Sequence, residues 1–113
     1  MILCDTDVMI EFIKNCFKAE KVLYTKHAMV EMKTEEFGEI MEEEVFNAVL
    51  KGEIIESYAD DEPYPSCLIY GLTDLNEPLH IVCAYAKEDD LTIIVTVYRP
   101  NPDKWIGFKR RKT

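Results

Sequence analysis

The hydrophobic period of this chain changes at Gly52, and that change limits what it can fold into more than any other feature. Before Gly52, apolar residues recur at helical spacing; after it they alternate, as strands do. Met9, Phe12, Ile13, Cys16 and Phe17 fall on one helical face and predict a first helix from about Val8 to Lys21. Val22 to Tyr24 reads as a short extended piece. Thr25 then suits the N-cap of a helix from Lys26 to Lys33. A further helix is expected from Met41 to Lys51, striped by Val45, Phe46, Val49 and Leu50, with Gly52 at the C′ position where a positive φ is wanted. Beyond it lie four strand candidates: Glu53–Tyr58, Ser66–Leu72, Leu79–Ala86 and Leu91–Tyr98. Pro63 and Pro65, the Thr73–Pro78 cluster and Glu88-Asp89-Asp90 separate them. Helices first and a meander second predict an α+β domain, its N-terminal helices packed on one face of a four-stranded antiparallel sheet.

At 113 residues with 48% hydrophobic content, the chain suits one domain with one core. Its expected parts are an N-terminal helix over residues 1–21, a core over 22–106 and a basic tail over 107–113. No apolar run reaches the ~18 residues of a membrane span, and the start lacks a leader pattern. A cytoplasmic protein is expected, with no membrane contact. Cys4, Cys16, Cys67 and Cys83 form no C-x-x-C pair or zinc spacing; the last three sit in apolar patterns as small reduced core residues. No metal or cofactor is expected.

The opening Asp5-Thr6-Asp7, between apolar residues and an amphipathic run, reads like the first strand and helix of a PIN-domain ribonuclease, with Asp5 a magnesium ligand. The later order of elements does not alternate as that fold requires. The three residues suit a helix N-terminus, where the dipole favours carboxylates.

Charge is unevenly spread. The net charge is -9, yet Arg99 to Thr113 carries +5, leaving -14 on residues 1–98. Such a tail attracts nucleic acid or an acidic partner, or is a solvated end. Lys109, Arg110, Arg111 and Lys112 are its candidate RNA-binding residues. Trp105 can stack on a base, or cover an open end of the core. Glu42-Glu43-Glu44 reads as a solvated first helical turn.

Hydrophobicity alone registers the last hairpin. With Lys87 opposite Leu91, one face collects Leu79, Ile81, Cys83, Tyr85, Leu91, Ile93, Val95 and Val97. The other face then sets His80 across from Tyr98, with Thr96 one pair along and Arg99 at the same end. Metal-independent RNA cleavage needs a base, an acid and a cation for the phosphorane; His80, Tyr98 and Arg99 have those chemical types. A cross-strand His–Tyr pair is also an ordinary sheet contact. His27, in the first turn of its helix, can meet a phosphate or bond a neighbouring strand. The fingerprints of zinc proteases, P-loops, serine hydrolases and dinucleotide-binding folds are missing.

Five segments taken together resemble a known family: Tyr24-Thr25-Lys26-His27-Ala28, Glu53-Ile54-Ile55-Glu56-Ser57-Tyr58, Pro63-Tyr64-Pro65-Ser66-Cys67-Leu68, Pro78-Leu79-His80-Ile81-Val82 and Thr96-Val97-Tyr98-Arg99-Pro100. They look like the bacterial domain-of-unknown-function family DUF4258, over about residues 22–106. Its members resemble the RelE/MqsR-like toxins of toxin–antitoxin systems. The resemblance implies a fold of that type, cleavage of mRNA alone or on the ribosome, and a small zinc-finger antitoxin-like partner. It also carries the family's histidines onto His27 and His80, and its Thr-Val-Tyr segment onto Thr96, Val97 and Tyr98. Relatives often place a basic residue shortly after the first histidine; here Glu31 and Met32 stand there, and Lys33 is the nearest cation.

Two functions are therefore expected to compete. One is a toxin-like, metal-independent endoribonuclease using His80, Tyr98 and Arg99, supported by His27. The other is a non-enzymatic protein-interaction module. A nuclease should hold Arg99 and the tail beside the His80 face; a binding module should expose an apolar patch.

Overall fold

The computed structural model describes residues 5–112, the side chain of Asp5 excepted. Cys4 and the apolar residues that open the chain fall outside them. Three helices, α1 (Asp5–Lys18), α2 (Lys26–Lys33) and α3 (Glu42–Leu50), accompany a five-stranded sheet. Its strands are β1 (Val22–Tyr24), β2 (Glu53–Tyr58), β3 (Ser66–Leu72), β4 (Pro78–Ala86) and β5 (Leu91–Tyr98), in the order β1-β5-β4-β3-β2. The fold is α+β, as the change of period implies. The sheet is not the four-stranded antiparallel one expected: β1 adds a fifth strand, parallel to β5. Three residues are too few to display a period, so the pattern gave no sign of that pairing.

Helix α1 starts at Asp5 rather than Val8, so Thr6 and Asp7 lie within its first turn. It ends before Lys21 because Glu20 turns left-handed, at φ 60°, and the Lys21 N–H reaches back to the Cys16 carbonyl at 2.8 Å. Thr25 caps α2 by accepting the Ala28 N–H at 3.0 Å. At the start of α3 the Glu44 carboxylate accepts the Met41 N–H at 2.7 Å. Gly52 does not have the positive φ expected of it. Its role is close approach: a Cβ there would lie 2.8 Å from both the Ala48 carbonyl oxygen and Ile69, and one on Gly71 would overlap Ala48 outright. The two glycines let α3 lie directly on β3.

One sheet face and the helices enclose the main core: Ile13, Phe17, Val45, Val49, Ile69, Leu79, Ile81, Cys83, Ile94 and Val97 are all buried. Cys16, Cys67 and Cys83 are free thiols within the interior, and burial pushes Cys67 up to about 12.

The β4–β5 ladder obeys the expected register only at one end. His80 pairs with Tyr98, Ile81 with Val97 and Val82 with Thr96. The next pair is Cys83 with Ile94, so Val95 is the extra residue of a β-bulge. Past it the faces exchange. Ala86, not Lys87, opposes Leu91; Ile94 and Thr92 are fully buried; Leu91, Ile93 and Val95, expected in the core, are only partly so. The orphaned backbone groups beside the bulge are taken by α2. The Thr25 hydroxyl donates to the Val95 carbonyl at 3.3 Å, and the Val97 N–H donates to the Glu31 carboxylate at 3.1 Å.

Candidate functional site

The second face of the sheet carries His80, Tyr98, Tyr70, Glu53 and Glu56: Glu53, Tyr70, His80 and Tyr98 pair in one row across the strands, and Glu56 pairs with Leu68, two residues from Tyr70. It is covered by the chain's own end. Trp105–Ile106 and Arg110–Arg111 form a small antiparallel hairpin, turned by Gly107 and Phe108 at φ 59° and 63°. The tail, read from sequence as a solvated end or a nucleic-acid contact, is folded over this face as a lid, with its cations on the exposed side. Trp105 does cover a core, though on the sheet's second face: its ring meets the His80 ring edge-on at 4.4 Å.

His80 is 0% exposed. Its Nε2 lies 2.6 Å from the Phe108 carbonyl oxygen and its Nδ1 3.0 Å from the Tyr98 hydroxyl. A carbonyl oxygen only accepts, so Nε2 carries the proton and the neutral ring accepts the Tyr98 O–H at Nδ1. Burial lowers the His80 pKa below its ordinary value, against the opposing pull of the Phe108 carbonyl. Burial also raises that of Tyr98, which keeps the phenol a donor. The expected pair therefore exists, as a closed Tyr–His–carbonyl chain in which each imidazole nitrogen is already engaged.

Arg99 is not part of that chain. It is 12% exposed and binds elsewhere: Nε donates to the Gly38 carbonyl at 3.2 Å, and the guanidinium reaches Glu77 and Glu44, each at 3.3 Å. These bonds fasten the α2–α3 loop and the start of α3 to the end of β5. The expected grouping of Arg99 with His80 is overturned by strand alternation: the residue after Tyr98 turns to the opposite side.

His27 lies on α2 with its side chain 67% exposed, Nε2 3.4 Å from Glu31. Glu31 in turn holds the Val97 N–H, one residue from Tyr98. His27 thus stands at the β5 side of the sheet, tied through Glu31 to the Val97 backbone, while His80 lies on the interior strand β4 with other partners. A carboxylate occupies the place where the resemblance implies a cation. Sequence reasoning noticed Glu31 only as a departure; nothing in the pattern revealed that β5 would bulge and need its oxygen.

Of the tail cations, Arg111 makes a two-pronged bond to Glu56, at 2.8 and 3.1 Å, and lies 4.7 Å from the Trp105 ring. The Arg111 hydrogen bonds hold the Glu56 carboxyl below its ordinary range. Lys109 pairs with Glu53 at 3.1 Å beside the Tyr70 ring. Arg110 and Lys112 remain exposed, with no ion pair to a described residue. Among the described residues no three His, Cys, Asp or Glu side chains gather as metal ligands, and no helix is long and apolar enough to cross a membrane.

The DUF4258 model, described as a domain of unknown function, matches residues 24–99. The chain belongs to this family. Neither a curated protein nor a solved structure matches it. The family match takes in His27, Glu31, His80 and Tyr98 but stops before Trp105. The lid over His80 and helix α1 both lie outside it.

Proposed function

We propose that this DUF4258 domain works by binding a partner protein rather than by cleaving RNA. The observation that carries the reading is the fate of the charges. Of the five candidate cations, Arg99, Lys109 and Arg111 are each paired with glutamates of the same chain, leaving Arg110 and Lys112, and Glu31 ties His27 to the Val97 N–H beside Tyr98. A phosphodiester needs unpaired cations to approach and to stabilise its extra charge. Apolar residues that a partner would use are exposed at the β1 edge and on the α2 side beside it: Leu23, Met29 and Met41. A toxin–antitoxin setting, with a zinc-finger antitoxin-like partner and a RelE/MqsR-like ancestry of the fold, is compatible with such a role.

One observation favours the second reading, a metal-independent mRNA endoribonuclease. The Phe108 carbonyl fixes the His80 tautomer so that Nδ1 faces the Tyr98 hydroxyl, and Tyr98 is partly exposed. That is a proton relay able to serve a substrate that reaches the exposed side of Tyr98 with the lid in place. The test is direct. The protein is expressed alone in a bacterial host, and the purified chain is incubated with mRNA, with and without ribosomes. Normal growth and intact RNA are expected. Cleavage that is lost in Tyr98→Phe and His80→Ala would replace the binding reading with the nuclease one.

A further inference from the structure

The free edge of β1 is where the partner's backbone has somewhere to go. Lys21 accepts the Thr92 N–H at 3.1 Å and the Thr25 N–H donates to Ile94 at 3.0 Å, so both residues turn their backbone toward β5. By alternation, Val22 and Tyr24 turn their N–H and C=O groups outward, and no described strand lies beyond them. Two hollows flank this edge, about 210 and 160 Å³ in volume, and both are lined by Tyr24 and Glu42. Phe46 walls the first, and Met29 and Met41 the second. Leu23, 57% exposed, stands on the sheet's opposite side at the same edge.

Charge indicates the occupant. Among the residues that line the hollows, Glu20 borders the first, Glu39 the second and Glu42 both, against Lys33 alone, while Lys21 and Lys26 flank the strand outside them. Residues 1–98 of each copy carry -14, so a second copy of this chain would bring two acidic bodies together, and like charges across an interface are repulsive.

We propose that the β1 edge binds an extended segment of a partner protein as a sixth strand, and that the segment is apolar at its centre and basic at its ends. The partner's backbone pairs with Val22 and Tyr24, its apolar side chains enter the two hollows, and its lysines or arginines meet Glu20 and Glu39. This gives a site and a chemistry to the binding role argued above and rests on it. The site itself can be tested independently of RNA chemistry.

The probe is a synthetic peptide of five alternating valines and threonines, with two lysines at each end, titrated into the full chain by NMR. Its counterpart carries glutamates at the ends. The lysine peptide should shift the amides of Val22, Leu23 and Tyr24 and protect those of Val22 and Tyr24 from exchange. The glutamate peptide should bind at least tenfold more weakly. Val22→Pro deletes one outward N–H at an edge position where proline is tolerated, and should abolish the protection. Glu39→Lys, on an exposed loop residue, should weaken binding about tenfold. No response at β1 with millimolar lysine peptide, equal binding of both peptides, or dimerisation of the unliganded protein that Val22→Pro prevents would each overturn the proposal. A chain that cleaves RNA and still binds the lysine peptide at β1 would refute the binding-only role while leaving this site in place.

Discussion

The imidazole of His80 donates to the carbonyl of Phe108 at 2.6 Å, and this bond joins the sheet to the hairpin that buries it. Phe108 sits at φ 63°, a left-handed conformation unusual for a bulky residue. The bond therefore fixes both the imidazole tautomer and a turn that the local sequence does not favour. It has a consequence for pH. The folded protein keeps His80 neutral, with its pKa below the ordinary 6.5, whereas the unfolded chain titrates near that value. The unfolded state thus binds the proton first as the pH drops. The stabilisation is whole above pH 6.5 and is lost as the pH falls through the folded value, with a slope of up to about 1.4 kcal/mol per pH unit. Urea denaturation at a series of pH values should reveal the slope, and His80→Phe should remove it. An unchanged slope in that variant would show that His80 is not its source. Glu56, held low by Arg111, contributes separately and only under more acidic conditions, near and below its ordinary 4.5.

Trp105 is the only tryptophan, so its fluorescence reports on the lid alone. The ring is buried against His80 and flanked by Arg111. Emission should be blue-shifted in the native protein and move to the red in Arg111→Ala, if the two-pronged bond to Glu56 is what holds the hairpin down. Truncating the ring in Trp105→Ala should cost about 3–5 kcal/mol, the usual range for emptying an aromatic site. A loss under 1 kcal/mol would mean that the hairpin closes the sheet only weakly.

How much of this was legible depended on the kind of signal each residue offered. The His80–Tyr98 pairing was readable because Ile81 and Val97 beside it are apolar on one face only. In Leu91-Thr92-Ile93-Ile94-Val95-Thr96-Val97 apolar residues occupy both parities, so nothing marks where the bulge sits. Arg99 was misplaced because nearness in sequence was taken for nearness in space, although strand neighbours point apart. The hairpin escaped notice because its cations read as solvated. Their partners, Glu53 and Glu56, lie some fifty residues earlier, a separation that composition does not encode.

Glu31 offers a test of the bulge. Its carboxylate serves the Val97 N–H from outside the sheet, as Thr25 serves the Val95 carbonyl. Glu31→Ala leaves that N–H without its partner and should destabilise by about 1–3 kcal/mol. Glu31→Gln retains an acceptor and should cost much less. The comparison is made by thermal or urea unfolding, and equal losses in the two variants would point to charge rather than the hydrogen bond.

Thr92 is the case where the fold departs from its own economy. The bulge turns this residue inward, opposite Tyr85, and it is fully buried. Among the described residues its hydroxyl is the one buried side-chain oxygen without a hydrogen-bond partner. Burying a hydroxyl unpaired costs about 1–3 kcal/mol, and valine has nearly the same shape with a methyl in its place. Valine also keeps the β-branched form that a strand accommodates. Thr92→Val should therefore stabilise the domain by roughly 1 kcal/mol, raising the unfolding midpoint by several degrees for a chain of this length. Thr92→Ser retains the hydroxyl, loses the methyl and should move the midpoint down. If Thr92→Val destabilises instead, the hydroxyl has a hydrogen-bond partner in solution.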